Sequence, residues 1–182
     1  MAIQSVEVIN IDHFAKGGLK LLEIAEVGAT GCSLAVNNDT QTATGVLSSA
    51  AGQIHSFEFE KESAKMSVSV QRTDSLNLYN VVVEGFVPKL SKDRLKSLES
   101  VMKAPNGFFA KAYLWDDYSE ATGNNLDPYL LGFDNTLAVS NSVTDFPCVL
   151  ESLELDSGTA LADANGVTVK ISCTMAHFPA QF

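Results

Sequence analysis

Few residues in this chain have the types and spacing that chemistry requires. The three histidines, His13, His55 and His177, are far apart, and none belongs to an HExxH arrangement or a close His/Cys cluster. A zinc site needs three or four such ligands converging on one point, so the histidines read as structural and no metal is expected. Asp116, Asp117, Asn124, Asn125 and Asp127 crowd one stretch and offer the hard oxygen ligands that Ca²⁺ takes. Their spacing is not that of an EF-hand, and they read as solvated turn residues. Glu58 and Glu60 fall on one face of a strand and read as solvated charges. Cys148 has no candidate base beside it, which argues against a nucleophile. No GxSxG, P-loop or GxGxxG is present; Gly17-Gly18 and Gly28 to Gly31 are turns. The expectation is a protein that is not an enzyme and carries no cofactor.

Composition narrows the class further. A chain of 182 residues suits a single domain with a sizeable core. The formal net charge of −10 argues against nucleic-acid binding by counterion release, though not against a surface past which DNA slides without sticking. The N-terminus lacks the basic and apolar regions of a secretory signal, and no window approaches a membrane span, so no membrane anchor is expected. Cys32, Cys148 and Cys173 are odd in number and read as reduced thiols, the last two in apolar strand contexts where a free cysteine acts as a small hydrophobe, with a Cys148–Cys173 bridge as the lesser alternative.

The stretch from Leu76 to Phe133 organises the rest. Between Leu76 and Val87, Leu76, Leu78, Val82 and Phe86 fall on one face, and Tyr79, Val81, Val83 and Val87 on the other. Two apolar faces imply a strand covered on both sides, or one face in the core and one against a partner. Ser91 reads as a helix N-cap, with Asp93 in the first turn and Leu95, Leu98, Val101 and Met102 as one apolar stripe. Lys103, Pro105 and Asn106-Gly107 are stop signals. Phe108–Trp115 is extended again. Phe109, Tyr113 and Trp115 share one face, read as core or as a recognition and subunit contact. A polar loop leads to Tyr129–Phe133.

Around this stretch lie further strands. Ile3–Ile11 alternates; Leu19–Val27 suits a strand or a short helix by its apolar spacing, and Gly17-Gly18 before it and Gly28 after it favour a strand in a hairpin with the first. Residues 28–53 are rich in small and polar residues, anchored only by Leu34, Val36, Val46 and Leu47. Two readings stand: a β-hairpin arm pairing Ser33–Val36 with Gln41–Val46, or a loop that orders against another subunit. Gln53–Glu60 and Ala64–Gln71 read as a hairpin, with Phe57, Phe59, Met66, Val68 and Val70 inward. Thr136–Val139 reads as a short strand, and Cys148–Leu155 with Val167–Met175 as a final pair. The sum is nine to eleven strands and one helix in one domain, residues 1–182: a mainly β protein, sandwich or barrel, with one short helix packed against it.

The strand Leu78–Lys89 ending in Val-Pro-Lys, the Ser91-started helix with Leu95 and Leu98, the aromatic strand Phe108–Trp115 and Leu130-Leu131-Gly132-Phe133 form a series. It resembles small virion structural proteins of tailed bacteriophages, particularly tail-tube-like and tail-ring proteins from phages of gut Bacteroidetes, over roughly residues 57–175. That pattern has a short Asp-Asn-Gly-type turn where this chain has Asp116–Pro128. The resemblance implies a tail-tube-like fold and self-association into a ring of six or twelve copies, in the tail or head–tail channel. It implies contacts with neighbouring tail or connector proteins, and DNA passing through an acidic lumen without specific binding. The location implied is the virion, after synthesis in the host bacterial cytoplasm. A closed ring needs two different patches per copy. Leu34, Val36, Val46 and Leu47 of the arm, and Phe109, Tyr113 and Trp115, are the candidates. The alternative is a monomeric β-sandwich binding module for carbohydrate or another ligand, using Tyr113, Trp115 and the 116–127 loop.

Overall fold

The structure, a computed structural model, describes residues 18–27, 33–37, 42–46, 54–72, 77–89, 91–104, 106–115, 128–133, 147–157 and 165–181. Among these lie eleven strands and one α-helix. The strands are β1 (Leu19–Glu26), β2 (Ser33–Asn37), β3 (Thr42–Val46), β4 (Ile54–Glu58), β5 (Lys65–Arg72), β6 (Asn77–Pro88), β7 (Phe108–Leu114), β8 (Tyr129–Leu131), β9 (Val149–Asp156), β10 (Gly166–Met175) and β11 (Ala180–Gln181). The helix, α1 (Lys92–Met102), falls between β6 and β7. The strands form two open sheets rather than a closed barrel. One has seven strands in the order β2-β3-β11-β8-β7-β1-β4, the other four in the order β5-β6-β10-β9.

Alternation along the strands explains how the sheets meet. In β10, Val167, Val169, Ile171, Cys173 and Met175 are buried while the residues between them are half-exposed. Its neighbour β6 turns Val81, Val83 and Val87 the same way, in register with Cys173, Ile171 and Val167. From the larger sheet, Leu22 and Ile24 of β1 and Phe108, Ala110 and Ala112 of β7 complete the same apolar cluster. These are the inner faces of two stacked sheets. Leu98 and Val101 of α1 join that cluster too, so the helix lies against the layer between the sheets. Ser91 caps it, its Oγ accepting from the Arg94 N–H at 3.2 Å, and the Arg94 guanidinium donates to the Pro88 carbonyl. Met102, by contrast, is 60% exposed and leaves the stripe.

Two expected pairings are replaced. The strands on either side of Lys61-Glu62-Ser63 do not form a hairpin: β4 pairs with β1 in the larger sheet, and β5 with β6 in the smaller. The chain changes sheet there because Phe57, Phe59 and Ala64 all insert into the shared core. Gly85 of β6 leaves the space they need; a Cβ there would sit 2.5 Å from that of Ala64 and 2.6 Å from the Phe59 ring. Nor does β1 have an edge left for Ile3–Ile11, since β7 and β4 occupy both sides of it. Residues 3–11, and the short strand expected at 136–139, lie outside the described residues.

Gly132 marks the second tight spot. Its φ of +80° is one that side chains disfavour, and a Cβ would lie 2.8 Å from the Cys148 backbone nitrogen. Here Phe108 and Cys148 form an isolated antiparallel bridge, exchanging N–H···O bonds of 3.0 and 2.8 Å. At that point the chain passes from the larger sheet towards β9.

Phe108 is 1% exposed at the centre of this contact. Phe108→Ala should therefore cost about 3–5 kcal/mol of stability. Ser67→Ala, on the solvent face of β5, should stay within about 0.5 kcal/mol. Urea unfolding of both variants checks this.

Candidate interaction surfaces

The residues singled out as contact candidates fall on the outer face of the larger sheet and its extension. In β7, Phe109, Lys111 and Tyr113 alternate with the inward Phe108, Ala110 and Ala112. They stand opposite Ala25, Glu23 and Leu21 of β1. β2 and β3 pair antiparallel, Leu34 opposite Gly45 and Val36 opposite Ala43. This hairpin joins the sheet through Thr42 and Gln181 of β11.

Leu34, Val36 and Phe109, expected to serve separate patches, come together. With Ala25, Ala43, Leu130, Phe133 and Ala180 they make a second apolar cluster, in which Phe109 and Phe133 meet edge to face with centroids 5.5 Å apart. Leu34 and Val36 are 7% exposed and Phe109 1%, so all three are buried within one chain. Val46 ends β3, and Leu47 lies outside the described residues.

Tyr113 and Trp115 are set differently. Tyr113 donates its hydroxyl to the Glu23 carboxylate at 2.5 Å. Burial, and then the Glu23 carboxylate beside it, hold the phenol above the ordinary tyrosine range. The β1–β7 register shifts between Leu19 and Leu21, and the extra residue is Lys20. Its ammonium sits 4.9 Å from the centroid of the Trp115 ring, a cation–π contact, and the residue is only 7% exposed. The Trp115 Nε1–H is buried without a hydrogen-bond partner among the described residues, as is the Nε2 of His55 in β4. Lys20 and Glu23 were not apparent from sequence, where they look like the polar positions of an ordinary amphipathic strand. The only hint is a lysine inside the apolar run from Leu19 to Leu22.

Elsewhere the surface is sparse in convergent chemistry. Among the described residues no three His, Cys, Asp or Glu side chains are grouped to hold a metal ion. Glu58 and Glu60 are exposed, and the 116–127 loop with its acidic residues lies outside the described residues. Among the described residues no helix is long and apolar enough to cross a membrane.

The edges of the smaller sheet hold a different kind of surface. β5 and β9 each have eight residues, and among the described residues each is paired with a strand on one side only. β5 carries Lys65 and Arg72, and β9 carries Glu151, Glu154 and Asp156. Lys65 reaches Glu84 at 3.7 Å, and Lys170 of β10 reaches Glu151 at 2.7 Å. Val70 on β5 and Val149 and Leu155 on β9 are more than half or about half exposed, at 55%, 50% and 58%. The solvent face between these edges mixes small polar side chains, Ser67, Ser69, Asn80, Ser152, Thr168, Ser172 and Thr174, with half-exposed Leu78, Val82 and Phe86 and with Lys65, Glu84 and Lys170.

Compared with protein-family models, curated proteins and solved structures, the chain matches none.

The Tyr113–Glu23 contact makes a testable statement about pH. A phenol raised in the folded state stabilises the fold fully below the ordinary tyrosine range, about pH 10, and that contribution is lost as pH rises above it. Ultraviolet titration of the folded protein should show one of its four tyrosines ionising later than the rest. Tyr113→Phe should remove that late step and flatten the fall in stability above about pH 10.

Proposed function

We propose that this chain is a non-enzymatic structural protein of a tailed bacteriophage, assembling into a homo-oligomeric ring or tube segment through which DNA passes. The observation that carries the reading is the complementarity of the two edges of the smaller sheet. Neighbours in that sheet are all antiparallel, so its first and last strands, β5 and β9, run in opposite directions. A second copy placed beside the first would therefore set its β9 antiparallel to β5 and continue the same pattern. Strands of equal length, a basic edge and an acidic edge suit such a heterologous contact, which closes into a ring when the rotation permits.

The magnitudes indicate what such a contact depends on. About eight ladder hydrogen bonds at roughly 1 kcal/mol each contribute about 8 kcal/mol. Association costs about 4–15 kcal/mol in lost freedom. Hydrogen bonds alone thus come near to balance, and burial of Val70, Val149 and Leu155 tips it at about 25 cal/mol per Å². The charges on β9 also act against indiscriminate pairing of an open edge. A ring built this way turns the solvent face of the smaller sheet towards a common axis or away from it. Facing inward, its lysines Lys65 and Lys170 are already paired with Glu84 and Glu151, which weakens their hold on DNA phosphates.

The binding-module reading has less support. A sugar ring stacks on an open aromatic face, whereas the Trp115 ring already carries the Lys20 ammonium.

Charge exchange across the edges tests the proposal. Glu154→Lys with Asp156→Lys should weaken self-association about tenfold, the size of a 1.4 kcal/mol loss, with the fold unchanged. Lys65→Glu with Arg72→Glu should do the same. Mixing the two variants should restore assembly, since each then meets a complementary edge. Light scattering would reject the proposal if both variants associate like the parent, or if the parent stays monomeric at every concentration and in the presence of phage tail particles.

A further inference from the structure

The two described cysteines meet in the inter-sheet core. Cys148 is fully buried at the Phe108 bridge, and Cys173, 6% exposed, lies on the inner face of β10. Both are free thiols, and they belong to one apolar cluster. Cys148 also lies against Gly132, where a Cβ would stand 2.9 Å from its Sγ. Ser172 of β10 stands opposite Val149 of β9, so the same antiparallel register carried one residue further sets Cys173 opposite Cys148. The bare backbone at Gly132 leaves space for the Cys148 sulfur, and the register brings the two thiols together from different strands.

We propose that Cys148 and Cys173 are an oxidation site, closing to an intramolecular disulfide in the folded protein when a small-molecule disulfide is the oxidant. The order of events follows from the surroundings. Burial pushes the Cys148 thiol well up, whereas the neighbouring Cys148 thiol and the Gly132 backbone hold Cys173 below the usual thiol range. Cys173 is also the less deeply buried of the two. Its thiolate attacks one sulfur of the small disulfide, forming a mixed disulfide and releasing one thiolate. Cys148 then loses its proton to solvent and attacks the Cys173 sulfur, expelling the second thiolate. Two protein thiols lose two protons and two electrons, and one small disulfide becomes two thiols. The new bond ties the Phe108 bridge of the larger sheet to the middle of the smaller one. Because access needs a local opening, the reaction is slow in the native state and faster in mild urea.

The test uses the full chain with Cys32→Ser, so that only this pair remains. After incubation with excess oxidised glutathione, thiol titration should show both groups lost and the mass lower by two hydrogens. An unreduced digest should contain one Cys148–Cys173 peptide, with circular dichroism unchanged and dithiothreitol reversing the bond. Cys148→Ser in the same background should stop at a glutathione adduct on Cys173. The proposal fails if both thiols remain free while the urea-unfolded chain oxidises. It fails equally if the folded chain with both cysteines stops at the adduct, or if closing the bond unfolds the protein.

Discussion

The fold depends on one apolar layer held between two sheets of unequal size. Phe108, Leu22 and Ile24 press on it from the larger sheet, and Val81, Val83, Ile171 and Val169 from the smaller. Each such side chain contributes about 1.5–3 kcal/mol on burial, against an ordering cost of about 1–2 kcal/mol for every backbone residue fixed. Only a layer fed by most of the strands can meet that cost. The departures from simple hairpin order serve it. The chain crosses between sheets at Phe59 and Ala64, places α1 at the layer with Leu98 and Val101, and crosses again at the Phe108–Cys148 bridge.

Much of this was legible in the residues. The alternation of Val167–Met175 specifies both that strand and its buried face. Ser91, Asp93 and the Leu98/Val101 spacing specify the helix and its inward side. What periodicity does not carry is partnership. It shows that Phe57 and Phe59 face inward but not that their strand joins a different sheet from Lys65–Arg72, because both arrangements bury the same side chains. For the same reason Leu34 and Phe109 looked like separate sticky patches. Each is apolar on a locally exposed-looking strand, and only the long-range placement of β3 beside β11 brings them into one cluster.

The candidate contact surfaces were the least legible part. A candidate sought among aromatic residues leads to Phe109, which is buried, and to Trp115, which is occupied by Lys20. The open edges instead carry modest residues, Val70, Val149 and Leu155, separated by charges and hydroxyls. In sequence they resemble any half-exposed strand. Their meaning comes from topology: β5 and β9 are the two ends of one sheet, opposite in direction and unlike in charge. Among the described residues the buried apolar side chains are met within the chain, and the two outer strands of the smaller sheet are the borders on which the proposed assembly rests.

Amide hydrogen exchange, followed from dilute to concentrated protein, measures those borders directly. Protection should be gained with concentration in both Lys65–Arg72 and Val149–Asp156, with the strands between them unchanged because their amides are already paired. Protection gained instead at β2 or β4, the edges of the larger sheet, or at neither pair of edges while the protein is assembled, would contradict the proposed assembly.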